Sequence, residues 1–224
     1  MPDNDQTRIS THGGGTGEGK PIRARLCFER RMGRAVNGEQ FNLLFGSQML
    51  IGRDKAADIT IVDDRISRKH ALIRIDPDAV RVSDVGSTNG TRRNGEPVTE
   101  EIILQNGDRV CLGEARTFET RIVEREGIIT SVRLASGNQG FLLAPREVLI
   151  GHASPPDPEL DLMIYDPKLR PRHASIEFFT GQIFINTLDP ARPVIVNSSP
   201  VRELELRNGF LIELGDTLLR FERD

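Results

Sequence analysis

Short runs of Val, Ile, Leu and Phe recur along the chain beyond a polar N-terminal segment, and several of them alternate apolar with polar residues. Within residues 71–76, for example, the apolar Ala71, Ile73 and Ile75 lie on the opposite side of an extended chain from Arg74. A period of two, broken by Gly, Asp and Asn, is typical of half-buried strands. No segment sustains a helical period. The pattern predicts an all-β protein built from sandwiches.

The second half of the chain repeats the hydrophobic pattern of the first. Residues 104–113 (LQNGDRVCLG) align with 206–215 (LRNGFLIELG), and 50–52 (LIG) align with 149–151 (LIG). Apolar positions agree between the copies, whereas surface positions differ. This pattern indicates two domains of one fold.

The repeat predicts three parts of the chain. Residues 1–21 are rich in Gly, Ser, Thr, Asp and Asn, which is typical of a flexible, disordered tail. The first domain is expected at 22–125 and the second at 128–224. Because the seam at 124–127 is too short for a floppy linker, we expect the two sandwiches to touch in a restricted orientation.

Composition and charge exclude several classes of function. A net charge of −3, no Trp and a single Tyr argue against a nucleic-acid partner. No apolar run reaches the length of a membrane span, and the N-terminus does not resemble a signal peptide. We therefore predict a cytoplasmic protein without a membrane partner. Cys27 and Cys111 lie in apolar runs and are expected to be reduced packing residues.

The sequence offers few residues for catalysis or for binding a cofactor. The four His residues, at 12, 70, 152 and 173, are dispersed, and neither a nucleophile–His–acid set nor metal-ligand spacing is apparent. Residues 14–20 (GGTGEGK) imitate a phosphate-binding P-loop, but Pro21 stands where the magnesium-coordinating hydroxyl belongs. We predict no catalytic residue, no metal and no cofactor, and hence no enzyme.

Three segments next to apolar runs carry small, polar or cationic residues. They are 51–53 (IGR), 66–70 (ISRKH) and 86–91 (GSTNGT). A phosphorylated Thr carries about −1.5 to −2 charges and three acceptor oxygens. Loops of this composition favour capture of a phosphate ester.

The side chains of these segments supply the donors that a phosphate needs. Arg53 offers a planar fork of N–H groups that suits phosphate oxygens. Ser67 and Thr88 can add hydroxyl donors. Arg68 or Lys69 can add positive charge at the rim.

Together the three segments resemble the forkhead-associated (FHA) domain, a module that binds phosphothreonine. The resemblance implies two tandem β-sandwiches of the SMAD/FHA-like type, of which the first has the intact site. By this resemblance Arg53 and Ser67 would hold the phosphate, with Arg68 and Thr88 beside them. Asn89 would bond the peptide main chain next to the phosphothreonine.

The resemblance also assigns supporting residues. His70 would brace one binding loop against another through a backbone hydrogen bond. Gly52, Gly86 and Gly90 would allow tight turns and close backbone approach. Arg65, on the loop that carries Ser67, is a candidate reader of an acidic side chain a few residues after the phosphothreonine.

The second copy departs from this pattern at the positions that matter. His152 stands for Arg53 and Arg170 for Ser67, and no Gly-Ser-Thr-Asn-Gly segment occurs. We expect a degenerate domain kept for packing or protein contact. A different anion site formed by His152, Arg170 and Arg172 remains the alternative.

The predicted function is a phosphothreonine-dependent adaptor or regulator in Ser/Thr kinase signalling, whose partners are kinase substrates or the kinase itself. A phosphorylation-independent structural or scaffolding subunit that uses the sandwich surfaces is the alternative. Thr7, Thr11 and Thr16 lie in the tail. If one were phosphorylated, it would occupy the site in cis or drive self-association in trans; the alternative is a passive solubilising tail.

Overall fold

The computed structural model describes residues 20–35, 38–137 and 139–223. Every regular element among them is a strand, so the prediction of an all-β fold is confirmed. The predicted tail lies almost entirely outside the described residues. The first copy contains β1 Ile22–Arg31, β2 Arg34–Ala35, β3 Gln40–Phe45, β4 Gln48–Gly52, β5 Ile59–Thr60, β6 Ala71–Ile75, β7 Val80–Asp84, β8 Thr91–Arg93, β9 Glu96–Pro97, β10 Ile102–Leu104, β11 Arg109–Leu112 and β12 Arg116–Arg125. The second contains β13 Ile128–Ser136, β14 Gln139–Ala144, β15 Glu147–Gly151, β16 Leu162–Met163, β17 Ala174–Phe179, β18 Gln182–Thr187, β19 Val194–Val196, β20 Ser199–Val201, β21 Glu203–Glu205, β22 Leu211–Leu214 and β23 Thr217–Arg223.

The strands form three sheets. One has thirteen strands, in the order β20-β19-β22-β23-β1-β3-β14-β13-β12-β11-β8-β9 with β2 beside β1. The two others have five strands each, in the orders β10-β7-β6-β4-β5 and β16-β15-β17-β18-β21. The long sheet therefore runs through both copies of the repeat, and each copy adds its own small sheet.

A two-residue turn explains why the copies share a sheet. Glu126 and Gly127 both have positive φ (53° and 76°), as a tight type I′ hairpin turn requires. The turn pairs Arg125 with Ile128, so that β12 and β13 form one antiparallel hairpin. The first strand of the second copy is thereby fixed against the last strand of the first copy.

The first strand of the chain makes the equivalent pairing at the other end. β1 pairs antiparallel with β23, with Leu26 opposite Phe221. The expected domains, 22–125 and 128–224, thus follow the sequence repeat. The strands, however, pair across these boundaries.

We call β4–β12 with β13 and β14 the first body, and β15–β23 with β1–β3 the second body. Each body is completed by the leading hairpin of the other copy.

The two cores follow the same exchange. The core of the first body includes Val132 and Leu134 from the second sequence copy. The core of the second body includes Leu26 from the first. On β3 the consecutive residues Leu43 and Leu44 belong to different cores. Because neighbouring side chains on a strand point to opposite faces, the two cores lie on opposite faces of the long sheet at its centre.

Polar contacts also hold the two bodies together beside the β12–β13 turn. The side chain of Asp161 is fully buried and lies 2.7 Å from Arg125 Nη1. The same carboxylate accepts a hydrogen bond from Leu149 N at 2.6 Å. Arg121 adds a hydrogen bond to Leu160 O at 3.2 Å. A buried, hydrogen-bonded ion pair tolerates little displacement of its partners, so these contacts restrict the relative orientation of the bodies.

The described part of the chain contains no helix with the length and apolar character needed to cross a bilayer. Nor does it hold a group of three or more His, Cys, Asp or Glu side chains arranged to bind a metal ion.

Candidate phosphopeptide-binding site

Gly52 brings the first two binding loops into contact. It ends β4 and is buried beneath the loop 66–70. A Cβ atom at this position would lie 2.1 Å from the carbonyl oxygen of Arg68, so only glycine fits. The next residue, Arg53, donates its backbone N–H to Ser67 O at 3.0 Å. The Arg53 side chain therefore starts directly beside Ser67.

His70 connects the second and third loops. Its ring is fully buried, and its Nδ1 accepts a hydrogen bond from Ser67 N at 3.1 Å. Because Nδ1 is the acceptor, the proton of a neutral ring lies on Nε2. Nε2 is 3.1 Å from Gly90 O and donates to it. This is the geometry that the expected bracing role of His70 requires.

The polar side chains of the two loops also bond to each other. Ser67 Oγ accepts a hydrogen bond from Thr88 N at 2.9 Å and lies 3.4 Å from Thr88 Oγ1. Asn89 Nδ2 donates to Arg65 O at 2.9 Å, which leaves the Asn89 carbonyl oxygen for a peptide N–H. Hydroxyls and amide are thus held in place before any ligand arrives.

Sequence reasoning missed Asp84, which organises the third loop. It ends β7 and accepts hydrogen bonds from Gly86 N, Ser87 N, Ser87 Oγ and Thr91 Oγ1 at 2.6–2.9 Å. Burial alone would raise its pKa, but the hydrogen bonds from Ser87, Thr91 and Gly86 outweigh burial and lower it. An Asp two residues before a Gly-Ser pair is the available signal, because Asp caps such turns.

Asp84→Asn is expected to destabilise the protein by about 1–3 kcal/mol at neutral pH, since it weakens several charge-assisted hydrogen bonds. The folded pKa of Asp84 lies below the ordinary 3.8. Its contribution is therefore complete above pH 3.8 and is lost as the pH falls through the lowered value. Urea unfolding at neutral and acidic pH measures both. Asp78→Asn, at a 79% exposed side chain, is the control and should change little. A stability difference that does not shrink in acid would contradict this assignment.

The loops enclose one groove of about 590 Å³ lined by the predicted residues Arg53, Ser67, Arg68, Thr88 and Asn89. Arg53 Nη1 lies 3.7 Å from Asp64, whose side chain is fully exposed. An exposed pair of this kind contributes only about 0–1 kcal/mol, so a phosphate can displace Asp64. Among the described residues, neither Arg68 nor Lys69 at the rim has an ion-pair partner. The groove is therefore cationic on the side of the 66–70 loop.

Arg65 lines the groove, and its expected role as reader of an acidic side chain stays a prediction. Its guanidinium is paired with Asp63 through two contacts, of 3.1 and 2.9 Å, and it also bonds Glu114 O at 3.3 Å. The hydrogen bonds from Arg65 lower the pKa of Asp63 to about 2, so Asp63 is ionised at neutral pH. Arg65 is thus neutralised within its own loop. The unpaired Arg68 and Lys69 are better placed to attract an acid.

The second body keeps the scaffold but not the anion chemistry. His173 N bonds Ile150 O, as His70 N bonds Ile51 O in the first body. The alternative anion site of His152, Arg170 and Arg172 is not assembled. Arg170 lies 3.3 Å from Asp189, and Arg172 forms an ion pair with Glu159. Each guanidinium therefore has its own carboxylate and is not directed at a shared ligand.

The two glycines that end β4 and β15 offer a matched pair of variants. Gly52→Ala and Gly151→Ala would each place Cβ against a carbonyl oxygen, at 2.1 Å from Arg68 O and 1.7 Å from Pro171 O. Overpacking of this kind costs about 1–3 kcal/mol, so urea unfolding should show a similar loss of stability for both. Only Gly52→Ala should also weaken phosphopeptide binding, because it displaces the loop that carries Ser67. Equal effects on binding would contradict the placement of the site.

The two bodies are β-sandwich domains, and the first carries a groove formed by its loops. Comparison with known proteins identifies the family. The family model described as "FHA domain" matches residues 49–113 and 148–215, which together make up more than half of the chain. The chain belongs to the FHA domain family, and both copies of the repeat are members.

Named relatives match less than half of the chain. The chain is 39% identical over 99 residues to the glycogen accumulation regulator GarA of Mycolicibacterium smegmatis, covering 44% of this chain and 60% of GarA. It is 38% identical over 99 residues to an oxoglutarate dehydrogenase inhibitor of Corynebacterium jeikeium, covering 44% and 66%. The match thus spans less than two thirds of each relative. Among solved structures, the FHA domain of CT664 from Chlamydia trachomatis is 30% identical, with a TM-score of 0.31, and covers 42% of this chain and 90% of that one.

Proposed function

We propose that the first body binds phosphothreonine peptides and that the protein acts as an adaptor or regulator in Ser/Thr kinase signalling. One observation carries the proposal: Arg53, Ser67, Arg68, Thr88 and Asn89 come from three loops and line one groove. The groove combines an Arg fork with prearranged hydroxyl and amide groups, which is what a phosphate on an extended peptide requires. Its partners would be phosphorylated kinase substrates or the kinase itself.

The relatives support a regulatory rather than a catalytic role. Their names describe a regulator of glycogen accumulation and an inhibitor of oxoglutarate dehydrogenase. By this likeness we infer that the chain is not an enzyme and that it acts by binding other proteins. A cytoplasmic location is part of the same proposal, since protein kinases and their substrates meet there.

Calorimetric titration of the full chain tests the proposal. Four versions of one peptide carry phosphothreonine, phosphoserine, Glu or unmodified Thr at the same position. We expect binding in the order phosphothreonine, phosphoserine, then the other two, because a filled methyl pocket contributes roughly 1–3 kcal/mol. Equal affinity for the phosphorylated and unmodified peptides would refute the proposal and favour a phosphorylation-independent scaffold.

The N-terminal tail extends the proposal to regulation. Thr7, Thr11 and Thr16 lie outside the described residues, and Lys20 is the first residue described. A tethered phosphothreonine reaches an effective concentration in the millimolar range on a short flexible linker. It would therefore compete with partners in cis, or join two molecules in trans. Light scattering and peptide affinity of the phosphorylated full chain, compared with residues 20–224, distinguish these outcomes from a passive tail.

A further inference from the structure

The second body contains a cavity that does not correspond to the phosphopeptide groove. It has a volume of about 520 Å³ and lies between the segment 167–168, the segment 192–195 and strand β22. The residues equivalent to Arg53 and Ser67, namely His152 and Arg170, do not line it. The cavity is therefore a feature of its own and not a remnant of the lost site.

One hydrogen bond of the first body has no counterpart beside this cavity. Ala71 pairs with Asp84 in the first body, and Ala174 pairs with Thr187 in the second. Six residues further along each chain stand Gly90 and Pro193. In the first body the loop carbonyl at this position accepts a hydrogen bond from the buried His. In the second body no such bond forms, and the space between the His ring and the loop is open.

His173 is left with a free donor that faces this space. Only 2% of the residue is exposed, and it lines the cavity. Its Nδ1 accepts a long hydrogen bond from Arg170 N at 3.4 Å, so the proton of the neutral ring lies on Nε2. Burial lowers the pKa of His173, which favours this neutral form. Within the described part of the chain, no group accepts a hydrogen bond from Nε2, which leaves this donor available to a ligand in the cavity.

The surrounding charges define which acceptor fits. Arg192 lines the cavity and donates through Nη1 to Lys168 O at 2.7 Å, but it has no carboxylate partner among the described residues. Lys168 Nζ is 2.7 Å from Asp216. Glu213 also lines the cavity, and its carboxylate lies 4.0 Å from Arg30 Nη2. One unpaired cation beside a nearby carboxylate favours a single negative charge over the double charge of a phosphate ester.

We propose that this cavity binds a carboxylate group carried on a short apolar stem. The carboxylate oxygens accept hydrogen bonds from His173 Nε2 and from the guanidinium of Arg192. The stem packs against the apolar wall formed by Pro167, Pro193 and Ile195. A free small carboxylic acid and an acidic side chain of another protein both present this chemistry. The site is separate from the proposed phosphothreonine groove.

NMR spectroscopy of the full chain with ¹⁵N-labelled His tests the proposal. Propionate is the probe, propionamide is its uncharged match, and inorganic phosphate is the divalent comparison. We expect propionate to shift the ring signals of His173 in a saturable way, while propionamide does not and phosphate binds more weakly. Absence of a propionate-dependent shift at His173, or tighter binding of phosphate, would overturn the proposal.

Variants add a second criterion. Arg192→Gln is expected to weaken propionate about tenfold, which is typical for loss of a hydrogen bond to a charged group. Pro193→Gly restores the residue found at Gly90, and we expect it to reduce propionate binding by letting the loop close on His173. Arg202→Gln, at an exposed residue outside the cavity, should change nothing. Circular dichroism and urea unfolding serve as the fold control and should be unchanged in Arg192→Gln and Arg202→Gln. Equal propionate affinity in Arg192→Gln and the unmodified chain would contradict the assignment.

Peptides separate the two sources of the carboxylate. A short peptide with a central Glu, but not its Gln counterpart, should displace propionate if the natural ligand is a protein side chain. If propionate binds and neither peptide displaces it, the ligand is a free acid. Failure of propionate and of the Glu peptide alike would refute carboxylate binding without affecting the phosphothreonine proposal.

Discussion

A fragment of residues 46–145 is expected to bind a phosphothreonine peptide as tightly as the full chain, whereas a fragment of residues 22–125 is expected to lose binding. The reason is that the first body is completed by β13 and β14 of the second sequence copy and not by β1–β3 of the first. The fragment 46–145 contains β4–β14, and with them the core of the first body except Leu44. The fragment 22–125 lacks β13 and β14, so β12 has no partner on that side. It also exposes the face of β1 that packs in the second body.

Calorimetry and circular dichroism of the two fragments check this expectation. Binding by 22–125 with the affinity of the full chain would show that β1 and β3 can replace β13 and β14, and would contradict a fixed exchange. An inactive 46–145 fragment that is folded would instead show that the second body is needed for the groove.

Two buried leucines test the same exchange in the intact chain. Leu134 belongs to the second sequence copy but packs in the core of the first body, and Leu26 shows the reverse. Both are fully buried, so each Leu→Ala change should cost about 2–5 kcal/mol. We expect Leu134→Ala to weaken phosphopeptide binding more than Leu26→Ala. The sequence repeat alone predicts the opposite order, which makes the comparison decisive.

Most of the residues that line the groove could be predicted from the sequence, because the ligand proposed for it has definite chemical requirements. A phosphate ligand would need a cation such as Arg53 and hydroxyls such as Ser67, and the close loop contact at Gly52 excludes any side chain. These requirements produce short, recognisable sequence motifs next to the strands. The strands themselves could be predicted because their period of two is repeated in both copies.

The hairpin exchange could not be predicted from the repeat because both leading hairpins carry the same apolar pattern. β1 and β13 can each complete either body as far as hydrophobic burial is concerned. Only the connection distinguishes the two arrangements, and it depends on two residues, Glu126 and Gly127, with positive φ. Gly127 is compatible with a hairpin turn, but the sequence repeat indicated a domain boundary at the same place.

Side-chain pairing was the other part that the sequence could not predict. Arg65 lies on the loop expected to contact the peptide, yet it pairs with Asp63 two residues away. Whether neighbouring charges pair with each other or with a ligand depends on the loop conformation, which a linear pattern does not specify. The same holds for Arg170 and Asp189 in the second body.

Arg53→Ala is expected to weaken phosphothreonine binding by about 2–5 kcal/mol, or roughly thirty-fold to several thousand-fold. The phosphate would keep its hydrogen bonds to Ser67 and Thr88 but lose the Arg fork, and so most of its charge compensation. Ser67→Ala removes one hydroxyl donor and should cost about 1–3 kcal/mol. Because Arg53 is paired only weakly with the exposed Asp64, little of the loss is returned by freeing that carboxylate. Calorimetric titration of the full chain measures each change.

Two controls connect this loss to the phosphate itself. Arg109→Ala removes the same charge from an exposed position on β11 that does not line the groove, and it should leave the affinity unchanged. The second pKa of a phosphate ester is about 6, so the affinity of the unmodified chain should fall as the pH drops through this value. Arg53→Ala should flatten that dependence, because the second negative charge no longer meets the guanidinium. A variant that loses affinity by the same factor at every pH would mean that Arg53 supports the loops and does not contact the phosphate.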